Sequence, residues 1–217
     1  MKFSIRPFAW LVLALLPVLP HRLDGADAAR PNILFIITDD QRFDMMGNVT
    51  PALHTPEMDR LARDGVRFEH AYVTTSICAA SRASMLCGLV ERTHRYTFLT
   101  PPLGDAFVEM SFPRLLRQAG YRTGYVGKLG VNLRAGTTGR LYDYFHELGP
   151  PFWKPQPDGT RRHLTHLEGD AAVAFLEDQA RAGGGRPFCL TVGFNAPHAQ
   201  DEAPQQYFWP PEVDALY

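Results

Sequence analysis

The sequence predicts an α/β protein built on a largely parallel β-sheet flanked by helices, because strand-like and helix-like runs alternate along most of its length. The first strand-like run, Asn-Ile-Leu-Phe-Ile-Ile-Thr at residues 32–38, is almost wholly apolar and rich in β-branched side chains. Such a run is typical of a strand buried on both faces of a parallel sheet. Polar residues directly follow this run and later ones, and open parallel sheets bind ligands beyond the carboxyl ends of their strands.

The composition is that of a folded protein. The chain has 217 residues, of which 45% are hydrophobic and 21% are charged, enough for one domain with a sizeable core. Its 22 Lys and Arg residues are balanced by 23 Asp and Glu residues. This balance excludes a disordered polar chain and a strongly basic protein that neutralises many phosphates, so no nucleic-acid partner is expected.

The first 28 residues have the pattern of a secretory signal peptide. Lys2 and Arg6 give the first six residues a positive charge. The apolar run that follows, residues 8–19, has the length of a signal-peptide core but is too short to span a bilayer. Ala26-Asp-Ala28 supplies a cleavage site, and the prolines in this segment disfavour an uncleaved anchor or a buried helix. We therefore expect an exported domain, periplasmic or secreted, at residues 29–217, with no stable membrane span.

Helix and strand signals continue through the first half of the chain. Thr55 is predicted to cap a helix that has proline at its first position and stops at Gly65. Residues 66–73 resemble another strand. Residues 81–86 are expected to form a helix that Gly88 ends.

Two helices and two strands are predicted in the second half. Residues 165–168, Thr-His-Leu-Glu, have the form of a capping box at a helix start, and the glycines at 183–185 mark the end of that helix. The remaining predictions are a helix at 111–119 capped by Ser111, strands at 121–126 and 188–194, and an irregular surface loop at 150–157.

Charged and reactive side chains stand at the predicted carboxyl ends of the strands. A parallel sheet would gather them into one crevice. Carboxylates, cations, an imidazole and a sulfur in one crevice suit an anionic substrate. These residues are Asp39 and Asp40 after the first strand, Cys78 and Arg82 where a loop enters a helix, Lys128 after the strand at 121–126, and His198 after the strand at 188–194.

Each of these residues also has an ordinary structural explanation. Adjacent carboxylates after a strand are most often a turn or a helix cap, and a lone cysteine is usually a small buried hydrophobe. A lysine or histidine after a strand is usually a solvated loop residue. The three cysteines of an exported chain leave at least one thiol unpaired, and the sequence leaves open whether Cys87 and Cys189 are free thiols or a disulfide.

Several longer motifs resemble the formylglycine-dependent sulfatases of the alkaline-phosphatase superfamily. The most specific is Cys78-Ala-Ala-Ser-Arg82, continuing to Gly88. The others, in the family's order, are Arg30-Pro-Asn-Ile-Leu-Phe-Ile-Ile-Thr-Asp-Asp-Gln41, Thr55-Pro-Glu-Met-Asp-Arg-Leu-Ala62, Gly124-Tyr-Val-Gly-Lys128, Tyr142-Asp-Tyr-Phe145 and Pro187-Phe-Cys-Leu-Thr-Val-Gly-Phe-Asn-Ala-Pro-His198.

The resemblance implies an alkaline-phosphatase-like fold and a sulfuric ester hydrolase acting on a sulfated small molecule or, by preference, a sulfated glycan. In that family a maturation enzyme oxidises the cysteine at the position of Cys78 to formylglycine, whose hydrate attacks sulfur and then releases sulfate. An unmodified cysteine lacks the second hydroxyl that this release needs. The roles implied here are a divalent metal, commonly calcium, held by Asp39, Asp40 and the residue at Cys78; orientation of the formylglycine by Arg82; and contact with the sulfate by Lys128 and His198.

The chain departs from the family pattern in three places. Ala80 stands where the signature usually has proline, which bears on the conversion of Cys78. The family usually has a histidine two residues after the lysine, whereas Lys128 is followed by Leu-Gly-Val at 129–131. A later metal-binding Asp/Asn pair and lysine have no counterpart before Tyr217, so we expect a catalytic domain truncated at its C-terminus, with an unpaired sheet edge.

Two alternative functions remain open from the sequence. A phosphodiesterase or phosphonate hydrolase of the same superfamily is the nearest, because the same kind of site can attack phosphorus. The other is a non-catalytic remnant or fragment that binds sulfated ligands, which the three departures motivate.

Overall fold

Strands alternate with helices over residues 30–98 and 101–217, the part of the chain that this computed structural model describes. The strands are β1 (Ile33–Ile37), β2 (Arg122–Gly127), β3 (Tyr144–Glu147), β4 (Trp153–Pro155), β5 (Arg161–His163) and β6 (Phe188–Gly193). One sheet has the order β1–β6–β2–β3, and every neighbouring pair in it is parallel, as predicted. Strands β4 and β5 form a separate antiparallel pair. The predicted signal peptide, residues 1–28, lies outside the described residues.

The register of the parallel sheet brings four strand ends to one edge. Gly193, at the end of β6, is opposite both Ile37 of β1 and Gly127 of β2. Gly127 is in turn opposite Glu147, at the end of β3. Because all four strands run in the same direction, the chain leaves the sheet at this edge four times, and the residues that follow lie close together.

Helices pack on both faces of the sheet at β2. Adjacent residues of β2 belong to two different hydrophobic cores: Tyr125 packs with Ala83 and Leu86, and Val126 packs with Phe175. Since successive side chains of a strand point to opposite faces, the sheet is the middle layer of the fold. The helices are α1 (Pro56–Asp64), α2 (Cys78–Cys87), α3 (Glu91–His94), α4 (Asp105–Glu109), α5 (Phe112–Gln118), α6 (Thr138–Leu141) and α7 (Leu164–Arg181), followed by a 3₁₀ helix at Pro211–Leu216.

Most predicted elements form within two residues of their expected bounds, but two helix caps differ. Thr55 and Ser111 occupy N-cap positions without making a capping bond. Thr55 Oγ1 accepts instead from the Gly47 amide (2.7 Å), and Ser111 Oγ donates to the Val108 carbonyl (2.6 Å). No helix in the described part of the chain is both long and apolar enough to cross a bilayer.

The predicted strand at 66–73 is wrong. No strand forms there, and Val66, Phe68 and Tyr72 are 78%, 79% and 87% exposed. Within the described structure this segment has no neighbouring strand to complete its hydrogen bonds. It also has no core surface against which its apolar side chains could pack. The loop predicted at 150–157 is also partly wrong, because β4 lies within it and pairs with β5.

The capping box predicted at 165–168 is wrong as well. Helix α7 begins at Leu164, and its N-cap is His163, whose Nδ1 accepts from the Thr165 amide (3.3 Å). Glu168 points into the protein and is fully buried instead of turning back to the helix start.

The sequence predicts that strand β1 is buried on both faces, but in the structure one of its faces is exposed. It is the terminal strand of the described sheet, and Leu34 and Ile36 on one face are each 49% exposed.

Cys87 and Cys189 do not form a disulfide; both are buried free thiols. Burial raises the pKa of Cys189 to about 11. Their thiols are therefore uncharged and shielded near neutral pH.

Phe175 gives a test of the core on the α7 side of the sheet. It is 1% exposed, and its ring centroid lies 5.5 Å from that of Tyr144 and 5.9 Å from that of Phe188. Replacing Phe175 by alanine should lower the free energy of unfolding by about 3–5 kcal/mol, because the lost contacts leave a cavity. Val173→Ala, a control on the same helix at a 53% exposed position, should change it by less than about 1 kcal/mol. Urea unfolding followed by circular dichroism measures both, and equal effects would contradict this packing.

Candidate active site

Helix α2 presents Cys78 and Arg82 on one face, since they lie four residues apart. The helix begins at Cys78 itself, earlier than the predicted Ser81. The unpaired amides of its first turn and the positive end of its dipole therefore lie at Cys78. Gly88, at φ 69°, ends the helix in the left-handed conformation, as predicted.

Arg82 is a buried cation that ties α2 to the end of β2. Its side chain is 4% exposed, and its NH1 group donates to the Lys128 carbonyl (2.5 Å) and the Tyr125 hydroxyl (3.3 Å). The Tyr125 hydroxyl donates to the same carbonyl (2.7 Å). Burial raises the pKa of Tyr125 to about 12, so this hydroxyl keeps its proton and remains a donor.

Glycines make room for the Arg82 side chain. A Cβ atom on Gly193 would lie 2.6 Å from the Lys128 carbonyl oxygen and 2.9 Å from Arg82 NH1. A Cβ atom on Gly130, where φ is +65°, would lie 2.7 Å from Arg82 Cδ. Gly130 stands two residues after Lys128, where the family pattern has a histidine. With the chain in this conformation, any side chain there would collide with Arg82.

Asp39 faces the same cluster from the end of β1. It is buried, its Oδ2 forms an ion pair with Lys128 Nζ, and the same oxygen lies 3.5 Å from Arg82 NH2. Although both cations are near, Oδ2 receives no hydrogen bond of acceptable geometry. The Asp39 amide donates to the Ala196 carbonyl (3.2 Å), which joins the end of β1 to the segment after β6.

His198 and Asp40 lie at the outer side of this cluster. His198 Nδ1 is 2.5 Å from the Ala199 carbonyl oxygen, and because a carbonyl can only accept, Nδ1 carries the proton. Nε2 lies 3.6 Å from Asp40 Oδ2. The Asp40 side chain is 63% exposed and its backbone has φ 64°. The open nitrogen of His198 therefore faces the Asp40 carboxylate.

Two adjoining clefts meet at Cys78. The inner cleft has a volume of 190 Å³, and Asp39, Asp40, Cys78 and Arg82 are among the residues that line it. The outer cleft has a volume of 870 Å³. All the site residues predicted from the sequence border one cleft or both. The outer cleft is bordered by Cys78, Lys128 and His198, and also by Glu147, Leu148, Asn195, Asp201 and Glu202.

Four acidic residues near the site were not identified from the sequence: Glu147, Glu168, Asp201 and Glu202. Glu147 ends β3 and therefore reaches the same sheet edge as the predicted residues, but only the strand order shows this. Glu168 lies on α7, fully buried, and burial raises its pKa to about 7. Its position in a capping-box pattern concealed its inward orientation.

The carboxylates suit a hard divalent cation in kind but not in number. Asp39 Oδ2 is a buried oxygen without a hydrogen bond, and the Asp40 carboxylate borders the same cleft; such oxygens are the ligands that calcium prefers. Across residues 30–98 and 101–217, however, no group of three or more His, Cys, Asp or Glu side chains is arranged to hold a metal ion. Asp39, Asp40 and Cys78 thus border one cleft without completing a metal site.

The chain is similar to named proteins and to solved structures. The N-acetylglucosamine-6-O-sulfatase of Bacteroides thetaiotaomicron is 33% identical over 191 residues, which cover 79% of this chain and 31% of that protein. A solved structure of a protein in complex with its substrate D-glucosamine-2-N,6-O-disulfate superposes with a TM-score of 0.64 at 29% identity, covering 78% of this chain and 35% of that one. The chain therefore spans about a third of the length of these relatives.

The fold is alkaline-phosphatase-like, as expected, and enzymes with other activities share it. The phosphonate monoester hydrolase of Agrobacterium radiobacter has a TM-score of 0.66 at 21% identity, covering 87% of this chain and 44% of that one. That likeness concerns the fold alone. The family model of the sulfatases, in contrast, matches residues 31–212, which include every site residue predicted from the sequence. The chain belongs to the sulfatase family.

Proposed function

We propose that this protein is an exported sulfatase that hydrolyses sulfate esters of glycans at residue 78. The observation that carries the proposal is the placement of Cys78 at the positive end of α2, bordering the same clefts as Arg82 and Lys128. A tetrahedral anion held there would meet backbone amides of a helix start and two cations. The relatives described above, one named for a sulfated amino sugar and one bound to another, support the glycan substrate class.

The chemistry requires that residue 78 be formylglycine. When Cys78 has been oxidised by a maturation enzyme, the hydrated aldehyde supplies one hydroxyl that displaces the alcohol at sulfur and a second whose deprotonation releases sulfate. Arg82 lies one helical turn away and is fixed by its bonds to Lys128 and Tyr125, so it orients residue 78 at little cost in side-chain entropy.

Lys128 interacts with the sulfate, and His198 interacts with the departing alcohol. Both border the outer cleft, which is the space available to the sugar. The Lys128 ammonium stabilises negative charge on the sulfate oxygens. His198 is fixed by its Nδ1 contact with the Ala199 carbonyl, so when the ring is doubly protonated Nε2 is the nitrogen that donates a proton to the departing alcohol oxygen, which leaves the ring neutral.

Asp39 and Asp40 are proposed as the part of a divalent metal site that these residues contribute. A metal bound there, with calcium as the first candidate, would offset sulfate charge and favour the deprotonated nucleophile. The position of both carboxylates on the inner cleft beside Cys78 supports this assignment.

Hydrolysis of a phosphonate or phosphate diester is the second candidate. The fold likeness to a phosphonate monoester hydrolase favours it, and the cationic cluster would hold a phosphoryl group as well as a sulfuryl group. Parallel assays with an aryl sulfate and an aryl phosphate diester separate the two, and faster diester cleavage would contradict the sulfatase proposal. Tight binding of a sulfated glycan without any turnover would instead indicate a non-catalytic binding remnant. Ala80 and Gly130 suggest this alternative, because they stand where the family pattern has proline and histidine.

Replacing Cys78 by alanine should abolish sulfate-ester hydrolysis while leaving the thermal unfolding temperature within about 2 °C of the wild type, because it removes the nucleophile but only one heavy atom, from a partly buried side chain beside the core. Cys87→Ala is the matched control at the other end of α2 and should keep its activity. Mass spectrometry of the tryptic peptide Phe68–Arg82 from the native protein detects formylglycine directly. Turnover by Cys78→Ala would refute the nucleophile assignment.

The outer cleft is lined by one lysine, Lys128, and by several acidic residues. Glu147, Asp201 and Glu202 all line it, and the ion pairs found within the described residues include none of the three. These carboxylates favour a sugar that is neutral or carries an amine, and they oppose a second anion beyond the sulfate being cleaved.

Glu147→Gln should therefore raise kcat/KM for glucosamine-2-N,6-O-disulfate by about two- to fivefold relative to N-acetylglucosamine 6-sulfate, as expected for removing a partly screened repulsion of ~0.5–1 kcal/mol. Glu177→Gln, which removes an exposed carboxylate on α7 away from both clefts, should leave the ratio unchanged. Steady-state kinetics with both sugars measures it. An unchanged ratio in Glu147→Gln would show that this carboxylate does not act on the substrate.

A further inference from the structure

Glu168 is a buried carboxylate with only one of its two oxygens bonded. It is fully buried on α7. Its Oε1 accepts from the Asn195 side-chain amide (2.6 Å) and the Asn195 backbone amide (3.3 Å), whereas its Oε2 has no hydrogen-bond partner in the described structure. A buried acid with an unbonded oxygen costs stability.

Asn195 passes the constraint from Glu168 to two segments that line the outer cleft. Its side-chain amide also donates to the Leu148 carbonyl (3.0 Å), in the segment that follows β3. Its own carbonyl accepts from the His198 amide (3.0 Å), in the segment that follows β6. Leu148, Asn195 and His198 all border the cleft.

We propose that Glu168 is a positioning residue: by holding Asn195 it fixes the His198 segment and the Leu148 segment relative to each other, and so sets where the imidazole stands in the outer cleft. This inference rests on the sulfatase function proposed above. Glu168 itself touches neither cleft and acts only through Asn195.

The surroundings of Glu168 also give it a titration near neutral pH. Strand β2 approaches it at Gly127, where a Cβ would lie 3.3 Å from Oε1; the segment after β6 contributes Asn195; and α2 contributes the charge of Arg82. Burial, the largest effect, raises the pKa to about 7, against the lowering effects of Asn195 and Arg82. Ionisation adds a negative charge beneath a site for an anion, so KM for a sulfate ester should rise as the pH rises through 7.

The same shift fixes the sign of a stability effect. The pKa of Glu168 is higher in the folded protein than the ordinary 4.5, so the folded state binds the proton more tightly than the unfolded state. The contribution of this group is most favourable below about pH 4.5 and is lost as the pH rises through 7. Glutamine, which cannot ionise, should remove that loss.

The test uses the full-length protein from its native host and its variants Glu168→Gln and Glu168→Ala, with Glu177→Gln as the control acid on the same helix. With N-acetylglucosamine 6-sulfate as substrate, Glu168→Ala should lower kcat about tenfold or more, because the imidazole loses its fixed position. Glu168→Gln should keep most of kcat at pH 6, since its amide oxygen still accepts from Asn195, and should lack the rise in KM near pH 7. Glu177→Gln should follow the wild type throughout.

A wild-type kcat in Glu168→Ala, or an unchanged KM profile in Glu168→Gln, would overturn the proposal. If the wild type hydrolyses no sulfate ester, the proposed function fails separately, and the NMR signals of the His198 ring, assigned with His198→Gln, then decide. Ring signals that move in Glu168→Ala but not in Glu177→Gln support the positioning role. Signals that do not move in Glu168→Ala refute it. Thermal unfolding of each variant between pH 5 and 8 shows whether it is folded and whether the Glu168 titration is lost.

Discussion

The burial of the Arg82 guanidinium is the constraint on which the site depends. A buried cation is costly unless it is paired and hydrogen-bonded. Arg82 NH1 donates to the Lys128 carbonyl and the Tyr125 hydroxyl, and NH2 forms an ion pair with the Asp39 carboxylate but makes no hydrogen bond within the described residues. These partners come from the ends of two strands, so the pairing of the sheet must be correct before the guanidinium can be accommodated. Gly130 and Gly193 provide the space it occupies. The local geometry of the site is therefore a consequence of the sheet register.

The parallel sheet and the convergence of charged residues could be predicted because both follow from local patterns. A continuous apolar run that stops at Asp39 indicates a strand and its carboxyl end, and parallel strands with helical connections bring such ends to one edge. The strand at 188–194 and the residue His198 follow by the same reasoning. Motif resemblance then added roles to these positions, which periodicity alone does not assign.

What the sequence did not show depends on tertiary contacts. The run at 66–73 has the side chains of a strand but pairs with no strand of the described structure, and β1 is terminal in the described sheet and has one face exposed at Leu34 and Ile36. Glu168 matches a capping box in sequence, yet its carboxylate bonds to Asn195, 27 residues away. Glu147 has no motif of its own, and its place at the cleft depends on the position of β3 beside β2. In each case the deciding contact is with a residue distant in sequence.

The backbone and the side-chain ammonium of Lys128 make different contacts in the site. Its carbonyl accepts from Arg82 and from Tyr125, and its amide donates to Gly193 (2.7 Å), so its backbone is fixed on both sides. Its ammonium meanwhile pairs with Asp39 at the border between the clefts. The cation is thus carried on immobile backbone but at the end of a flexible side chain. An anion entering the outer cleft would compete with Asp39 for this ammonium, whereas the Arg82 guanidinium is held by its hydrogen bonds to the Lys128 carbonyl and the Tyr125 hydroxyl.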